Sequence, residues 1–265
     1  MNTPPGPVKD AIFKRTGFDR LGRAGKMVLD MLYPPVCLHC ATPVVTADAL
    51  CAQCWSRLRP ISAPRCPVLG LPFEVSLGPE VLSAEAIADP PPFDRARSAF
   101  LYDDICRSVI SRLKFGDKPE LARFCAQTMR ANCAELFEGD PVLVPVPLHR
   151  MRHWQRRFNQ SGEMCRELSK LTGLRTELFL AQRQRPTRQQ VGLNTSQRAR
   201  NVAGAFAVRP EIAATLGGRR VLIVDDVITT GATAKALTRA LQRAGINQID
   251  VISFARVVIG ADMPI

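Results

Sequence analysis

The sequence has no apolar run long enough to span a membrane, and no apolar stretch follows the basic residues near its N-terminus as in a signal peptide. Its nine cysteines are an odd number, and five of them show no pairing pattern: Cys66, Cys106, Cys125, Cys133 and Cys165. Disulfides are therefore not expected, which favours a reducing compartment. Together these absences predict a cytoplasmic protein without a membrane span.

Aromatic residues are scarce, at 6% of the 265-residue chain. Only Trp154 and Phe158 interleave with a group of arginines, so few side chains are available to stack on nucleic acid bases. Apolar residues nevertheless make up 46% of the sequence, which is enough for a sizeable core and argues against disorder. The length fits one medium α/β domain with a small appendage.

Proline and glycine divide the chain. Residues 1–25 are polar and contain both, which predicts a loosely ordered tail. Three consecutive prolines end at Pro92 and cannot continue a helix or a central strand. We therefore expect a small module with its linker at residues 26–92 and a main domain at residues 93–265.

Strand and helix patterns alternate in the main domain. Strands are predicted at residues 99–102, 142–148, 205–208 and 250–258, and helices at residues 105–115, 121–137 and 160–171. Pro145 and Pro147 remove ladder donors, so the second of these strands should end near a site. The alternation predicts a mostly parallel sheet that binds ligands at the carboxyl ends of its strands.

A further strand is predicted at Val221 to Val224, because four consecutive aliphatic residues are typical of a parallel strand covered on both faces. Two carboxylates, Asp225 and Asp226, follow it. Their natural partners are neutral hydroxyls or a magnesium ion, since they would repel a phosphate. The competing interpretation is that the two acids merely cap the strand.

A hydroxyl-rich loop comes next. It consists of Thr229, Thr230, Gly231, Ala232 and Thr233. Apolar residues then recur at helical spacing as far as Gly245, so the loop lies at a helix N-terminus. Unpaired backbone N–H groups, threonine hydroxyls and a glycine that permits close approach together suit a phosphate dianion. Strand end and loop together predict a site for a phosphorylated sugar such as ribose 5-phosphate.

The segment from Asp225 to Thr233 resembles the phosphoribosyl pyrophosphate (PRPP) loop of type I phosphoribosyltransferases. The resemblance implies that Asp225 and Asp226 hold the ribose hydroxyls, that the loop holds the 5-phosphate, and that magnesium accompanies PRPP. If the domain is catalytic, a nitrogen nucleophile would displace pyrophosphate at the anomeric carbon. The sequence supplies no obvious general base, so catalysis and the acceptor stay open.

Two Cys-x-x-Cys knuckles lie ten residues apart, at Cys37, Cys40, Cys51 and Cys54. Four thiolates at this spacing can bind one tetrahedral zinc, which would be structural because no coordination position is left for water. Disulfides and a redox Cys-x-x-Cys are the competing interpretations. Cys66 begins what looks like a third knuckle, but Leu69 stands where its second cysteine is expected, so a second zinc is doubtful.

Positive charge is concentrated in one region. The chain carries a net charge of +12, and between residues 149 and 200 twelve basic residues face three acidic ones, a net of +9. Some of these cations must lie on solvated helix faces. The concentration after a strand end still predicts an anionic partner, either a polyphosphate or a nucleic acid.

Residues 144–150 and 156–160, with Gln190, Leu193, Arg198 and residues 201–206, resemble the ComF family. Its members join a cysteine zinc module to a type I phosphoribosyltransferase-like domain with a mostly parallel sheet, and the resemblance runs from the zinc knuckles to the last strand. The fold expected is therefore α/β, with a small N-terminal zinc ribbon. The family's association with DNA uptake during natural competence supports an alternative function, a nonenzymatic module that binds single-stranded DNA or competence proteins.

The same resemblance implies contacts for the pyrophosphate. These contacts would come from His149, Arg150, Arg156, Asn159 and Gln160. The segment from Arg183 to Asn201, which includes Arg198, would form a mobile hood over the site. Arg157 departs from the family pattern, which usually has glycine there. Lys114 matches the pattern, although a lysine near a helix end more often complements the helix dipole.

Overall fold

The computed structural model describes residues 34–47, 49–76, 78–115, 121–148, 158–185 and 195–258, with the side chains of residues 195, 196, 198 and 199 excepted. The tail predicted at residues 1–25 lies outside these ranges. The described part of the chain divides into two compact units between Cys51 and Ala52. The domain boundary expected at Pro92 stays a prediction.

Helices and strands alternate along the larger unit. The helices are α1 (Ala52–Arg57), α2 (Ala84–Ala88), α3 (Asp104–Phe115), α4 (Leu121–Asn132), α5 (Gln160–Thr172), α6 (Thr195–Val202), α7 (Pro210–Ala213) and α8 (Ala232–Arg243). The strands are β1 (Arg95–Leu101), β2 (Val142–Pro145), β3 (Ala181–Arg183), β4 (Phe206–Val208), β5 (Val221–Ile228) and β6 (Ile249–Arg256). Two 3₁₀ turns lie at Ala134–Leu136 and Ala214–Leu216.

Four strands form one parallel sheet in the order β1-β6-β5-β2. The run Val221 to Val224 lies in β5, an inner strand, and its residues are fully buried, as the unbroken apolar pattern predicts. The mostly parallel sheet is therefore confirmed. Strands β3 and β4 form a separate antiparallel pair.

Strand β2 is shorter than predicted and lies at the edge of the sheet. It ends at Pro145, which has no N–H to donate, and Val146 then donates a backbone hydrogen bond to Val224 O at 3.0 Å. The strand end therefore lies beside the carboxyl half of β5, where the prolines are expected to turn the chain toward a site.

Helices cover both faces of the sheet. Helices α4 and α5 pack on one another, α4 also on β1 and β6, and α5 on β2 and β5. Helix α8 packs against α6 and β4, and its Leu237 and Leu241 belong to a buried cluster with Val221 and Ile223 of β5. The apolar stripe after the glycine loop is thus the face that α8 buries.

We find no helix among the described segments with both the length and the apolar character needed to cross a lipid bilayer.

Candidate functional site

The two adjacent acids lie inside strand β5 rather than after it, because β5 continues to Ile228. On one side Asp225 pairs in register with Ser253 of β6. On the other side the last pair is Pro145 with Val224, since β2 ends there. The carboxylates therefore stand where β5 outruns its neighbour, at the carboxyl edge of a parallel sheet, which is the usual ligand-binding position in such folds.

Asp225 lies in an environment that disfavours its charge. Burial and the neighbouring carboxylate of Asp226 raise the pKa of Asp225 from 3.8 to about 7, although the Asp226 N–H and the positive charges of Lys114 and Arg183 oppose the rise. The Asp226 N–H donates to Asp225 Oδ1 at 2.9 Å, and Ser161 Oγ lies 3.5 Å from the same oxygen. A cation or a pair of hydroxyl donors would stabilise the ionised form.

Asp226 has a cationic partner that is distant in sequence. The Lys114 ammonium, in the last turn of α3, forms an ion pair with Asp226 Oδ2. The other carboxylate oxygen accepts the Val227 N–H at 2.7 Å. Both side chains are largely buried, so this pair is shielded from solvent more than an ordinary surface ion pair. Lys114 therefore interacts with the adjacent carboxylates Asp225 and Asp226, here called the acid cluster, in addition to lying in the last turn of a helix.

The predicted loop does turn at a helix N-terminus. Gly231 caps α8 with a left-handed φ of +74°, a conformation that favours glycine, and Lys235 N donates to Gly231 O at 2.8 Å. The Thr230 hydroxyl is buried and has no hydrogen-bond partner among the described residues. The structure thus brings an available hydroxyl and the first N–H groups of α8 together just beyond the two acids.

A small cavity of about 290 Å³ adjoins this loop. Its lining includes Thr230 and three basic side chains of α8, Lys235, Arg239 and Arg243. Lys235 is nearly buried and its ammonium lies 2.7 Å from Asp89 Oδ2. The cavity is therefore lined by cations along one side of α8, although Lys235 is already paired with Asp89 and Arg243 lies at the far end of the helix.

The residues expected to contact pyrophosphate are only partly described. Asn159 precedes α5 and its Nδ2 donates to Val146 O at 3.2 Å, while its Oδ1 is buried without a hydrogen-bond partner in the described part of the chain. Gln160 begins α5 and is buried. His149, Arg150 and Arg156 lie outside the described residues, as do Arg157 and the Arg198 side chain.

The start of the expected hood is a strand that the sequence did not indicate. Arg183, at the end of β3, pairs in register with Phe206 of β4, and its guanidinium lies 5.3 Å from the centre of the Phe206 ring. The positive charge of this nearly buried arginine lowers the pKa of Asp225. Arg183 therefore acts electrostatically on Asp225. The sequence did not predict this role, because the three-residue strand β3 that positions Arg183 has no recognisable pattern.

The four predicted zinc ligands converge. The sulfur atoms of Cys37, Cys40, Cys51 and Cys54 all lie within 4.8 Å of one another. Four thiolates at about 2.3 Å from a tetrahedral zinc are about 3.8 Å apart, close to the 3.6 Å between Cys40 Sγ and Cys51 Sγ. Burial raises the pKa of Cys37, but N–H groups of Cys51 and Cys40 outweigh it and lower the pKa, which favours the thiolate. The donor set fits zinc.

Comparison with known proteins finds a match for the segment that contains the cysteine cluster and another for the part of the chain that contains β5 and α8. A family model described as a double zinc ribbon domain matches residues 28–86, and one described as a phosphoribosyl transferase domain matches residues 161–264. The DNA utilization protein YhgH of Escherichia coli (strain K12) is 30% identical over 229 residues, which cover 84% of this chain and 97% of the relative. The chain belongs to the ComF family.

Another relative is competence protein F of Haemophilus influenzae, 26% identical over 83% of this chain and 96% of its own. Among solved structures, a Staphylococcus aureus hypoxanthine phosphoribosyltransferase matches with a TM-score of 0.32 and 15% identity over 52% of this chain and 64% of its own. The α/β phosphoribosyltransferase-like fold of this ComF protein rests on the family model and on the parallel sheet, since that structural similarity is low.

Three contributors to the acid cluster of this ComF protein are distant in sequence from the loop motif. Lys114 could be found from its pattern, but its partner Asp226 could not. Ser161 and Arg183 carry no motif of their own, and only the packing of α5 and of the β3–β4 pair brings them near Asp225. A short motif predicts which segment forms the loop. The charged and polar groups that surround Asp225 and Asp226 come from other segments, which the motif does not predict.

Proposed function

We propose that this ComF protein binds PRPP with magnesium at the carboxyl end of β5. The observation that carries the proposal is the placement of two adjacent acids immediately before a glycine-capped helix N-terminus. A ribose 5-phosphate has hydroxyls that suit the first feature and a dianion that suits the second. Neither feature alone would select a phosphorylated sugar.

In this arrangement the acids and the loop have separate tasks. Asp225 and Asp226 accept hydrogen bonds from the ribose hydroxyls, and the N–H groups at the start of α8 bind the 5-phosphate together with Thr229 and Thr233 hydroxyls. The buried Thr230 hydroxyl, which has no hydrogen-bond partner in the described chain, gains one when the loop is occupied. The phosphate stays beyond the carboxylates, which would repel it.

Magnesium fits the same edge of the sheet. Carboxylate oxygens are its preferred protein ligands, and it usually also binds substrate phosphates. When bound, it supplies positive charge to the pyrophosphate group. Lys114 partly neutralises Asp226 before any ligand arrives, so we expect magnesium and sugar hydroxyls to compete with the lysine for that carboxylate.

The proposal is tested by calorimetric titration of the zinc-loaded protein with PRPP and magnesium, using two matched glycine variants. Gly231→Ala and Gly217→Ala both place a side chain at a left-handed backbone, at φ values of +74° and +60°. Each should lose about 1 kcal/mol of stability for that reason. Only Gly231→Ala should lose PRPP affinity, by about tenfold or more, because it shifts N–H donors that bind a charged phosphate.

Gly217 separates the two effects because it lies between a 3₁₀ turn and β5, and an added Cβ would meet no atom within 4 Å. Saturable binding in the wild type that survives in Gly217→Ala and weakens in Gly231→Ala supports the site. The proposal fails if the wild type does not bind PRPP, or if the two variants lose affinity equally.

A second candidate is binding of single-stranded DNA. The names of the relatives favour it, and so does the basic segment, residues 149–200. The three glutamates of this segment each pair with a nearby basic residue: Glu163 with Arg166, Glu167 with Lys170 and Glu177 with Arg175. The net charge of +9 therefore falls on the nine other cations between residues 149 and 200, of which Arg183 is nearly buried, which leaves eight as candidate contacts for an anionic ligand. Such an excess suits a phosphate backbone.

For this candidate we expect the affinity for a single-stranded oligonucleotide to fall steeply as salt concentration rises. Each phosphate contact releases a counterion, so the logarithm of the binding constant should fall linearly with the logarithm of salt concentration. Fluorescence anisotropy at several salt concentrations measures the slope. An affinity that is the same at low and high salt would rule out phosphate-driven DNA binding.

A further inference from the structure

The segment that begins at Cys66 has the same backbone as the knuckle that begins at Cys37. In each, the cysteine N–H donates to the carbonyl five residues later, at 2.8 Å in both cases. The residue four positions after each cysteine donates back to the cysteine carbonyl, at 3.2 and 2.9 Å, and has a left-handed φ of +60° or +66°. A bridge closes each turn, Val36 with Pro43 and Arg65 with Pro72. The Cys66 segment therefore has the backbone conformation of a zinc knuckle.

The equivalence extends beyond the knuckle to Ser83 and the helix that follows it. We call residues 37–54 the first ribbon and residues 66–86 the second ribbon. The Ser83 N–H donates to Cys66 Sγ at 3.4 Å, as the Cys51 N–H donates to Cys37 Sγ at 3.3 Å, and a short helix follows in both. The three remaining ligand positions of the second ribbon hold other residues: Leu69 for Cys40, Ser83 for Cys51 and Ala86 for Cys54. The double-zinc-ribbon match ends at the last of these positions.

These residues do not fit a zinc ion. One thiolate remains of four, and a leucine and an alanine offer no donor atom at all. The Ser83 hydroxyl is already engaged, because it caps α2 by accepting the Ala86 N–H at 3.4 Å. All four positions are buried, so water cannot complete a coordination shell there.

Apolar packing fills the place of the metal. Leu69, Leu71 and Ala86 are buried in the same cluster as Val221 and Ile223 of β5. The core of the second ribbon is thus continuous with the core beneath the sheet, and burial of these side chains stabilises it.

Two buried arginines fix the knuckle to the sheet. Arg256, at the end of β6, donates to Leu69 O at 2.8 Å, and Arg97 of β1 donates to Pro67 O at 2.9 Å. Between them the Ala96 N–H donates to Val68 O at 2.7 Å. The approach is so close that a Cβ at Gly70 would lie 2.4 Å from Ala96 O. The sheet therefore holds the knuckle carbonyls in place.

Charge in this region is balanced without a metal. Burial lowers the pKa of Arg256 to about 10, and the electrostatic effect of Cys66 opposes this. Burial raises the pKa of Cys66, but N–H donors from Ser83 and Leu69 outweigh it and lower the pKa. The Arg256 Nε is buried with no hydrogen-bond partner in the described chain, and the negative groups that act on this guanidinium are Cys66 and Glu85.

We propose that the second ribbon of this protein is a metal-free copy of the first, in which apolar packing and the buried arginines Arg97 and Arg256 have replaced the zinc ion. The chain then binds one zinc, not the two that a double zinc ribbon implies, and the second ribbon is a rigid extension of β1. Its fold should not depend on metal supply.

Zinc content and metal substitution test this inference on the full chain. The wild type should contain one zinc per chain by elemental analysis, and Cys66→Ser should also contain one. The restored variant Leu69→Cys/Ser83→Cys/Ala86→Cys should contain two, and adding Cys66→Ser to it should weaken or abolish the second site. Cobalt substitution should double the thiolate charge-transfer band in the restored variant.

Several outcomes would overturn the proposal. Two zinc ions in the wild type, or a loss of zinc in Cys66→Ser, would make Cys66 a ligand. A restored variant that folds, as its near-ultraviolet circular dichroism shows, and still holds one zinc would refute the equivalence of the four positions. If the restored variant does not fold, the zinc contents of the wild type and Cys66→Ser decide alone.

Discussion

Cys40→Ser is expected to lose the zinc and, with it, the folded structure of residues 34–54. Among described residues 34–51 only Cys37 and Leu38 are buried, so this segment has almost no apolar core of its own. Structural zinc contributes about 10–16 kcal/mol in zinc-finger peptides, which far exceeds what two buried residues supply. Removing one of four thiolates should therefore leave the segment unfolded at ordinary zinc concentrations.

Elemental analysis and hydrogen exchange of the backbone amides would measure this result. Cys106→Ser is the matched control, because Cys106 lies outside the cluster and donates to Leu101 O at 3.5 Å, a bond that a serine hydroxyl can also make. The control should keep its zinc and its protection. The strand β5 and helix α8 should stay protected in both variants. Full zinc occupancy in Cys40→Ser would show that three thiolates suffice and would contradict the structural role.

Local patterns predicted those parts of the fold that a short segment determines by itself. Patterns of a few residues were enough to predict three features: the four-cysteine cluster, the buried run in β5 and the glycine turn before α8. Strand β1 shows the limit. It begins at Arg95, before the predicted start at residue 99. The apolar pattern missed these first residues because they include Arg97, a charged residue that is buried through an ion pair with Glu135 at 2.9 Å. A pattern of apolar residues cannot register such a position.

Helix α4 shows a second limit. The pattern predicted a helix over residues 121–137, but α4 ends at Asn132 and a 3₁₀ turn at Ala134–Leu136 follows. Cys133 and Leu136 are buried beyond the helix end, so the apolar periodicity continues although the backbone changes. The periodicity reports which side chains the core accepts, and the tertiary structure decides where the helix stops.

The candidate site divides in the same way. The acids and the loop follow from one nine-residue segment, whereas Lys114, Ser161 and Arg183 reach Asp225 or Asp226 from three other elements. Those contacts set the charge of the site, and they depend on how α3, α5 and β3 pack. Electrostatics was therefore the part of the site that the sequence left undetermined.

Asp225→Asn/Asp226→Asn is expected to lose PRPP affinity by about 100-fold or more. Each carboxylate that accepts a hydroxyl contributes about 1.5–3 kcal/mol, and the amides also remove the charge that magnesium requires. The loss should be specific to the sugar. Inorganic phosphate, which needs only the N-terminus of α8 and its neighbours, should bind the variant as well as the wild type or better, because two negative charges near the loop are gone.

Calorimetry with PRPP and with phosphate, each in the presence of magnesium, separates these effects. The wild-type affinity for PRPP should also fall as pH drops below about 7, because Asp225 then takes up a proton and loses the negative charge that strengthens its hydrogen bonds to the ribose hydroxyls. The Asn variant should lack that part of the pH dependence, and whatever remains belongs to titration of the phosphate itself. Unchanged PRPP affinity in the variant would show that the acids do not contact the sugar, and the ribose-phosphate assignment would then be wrong.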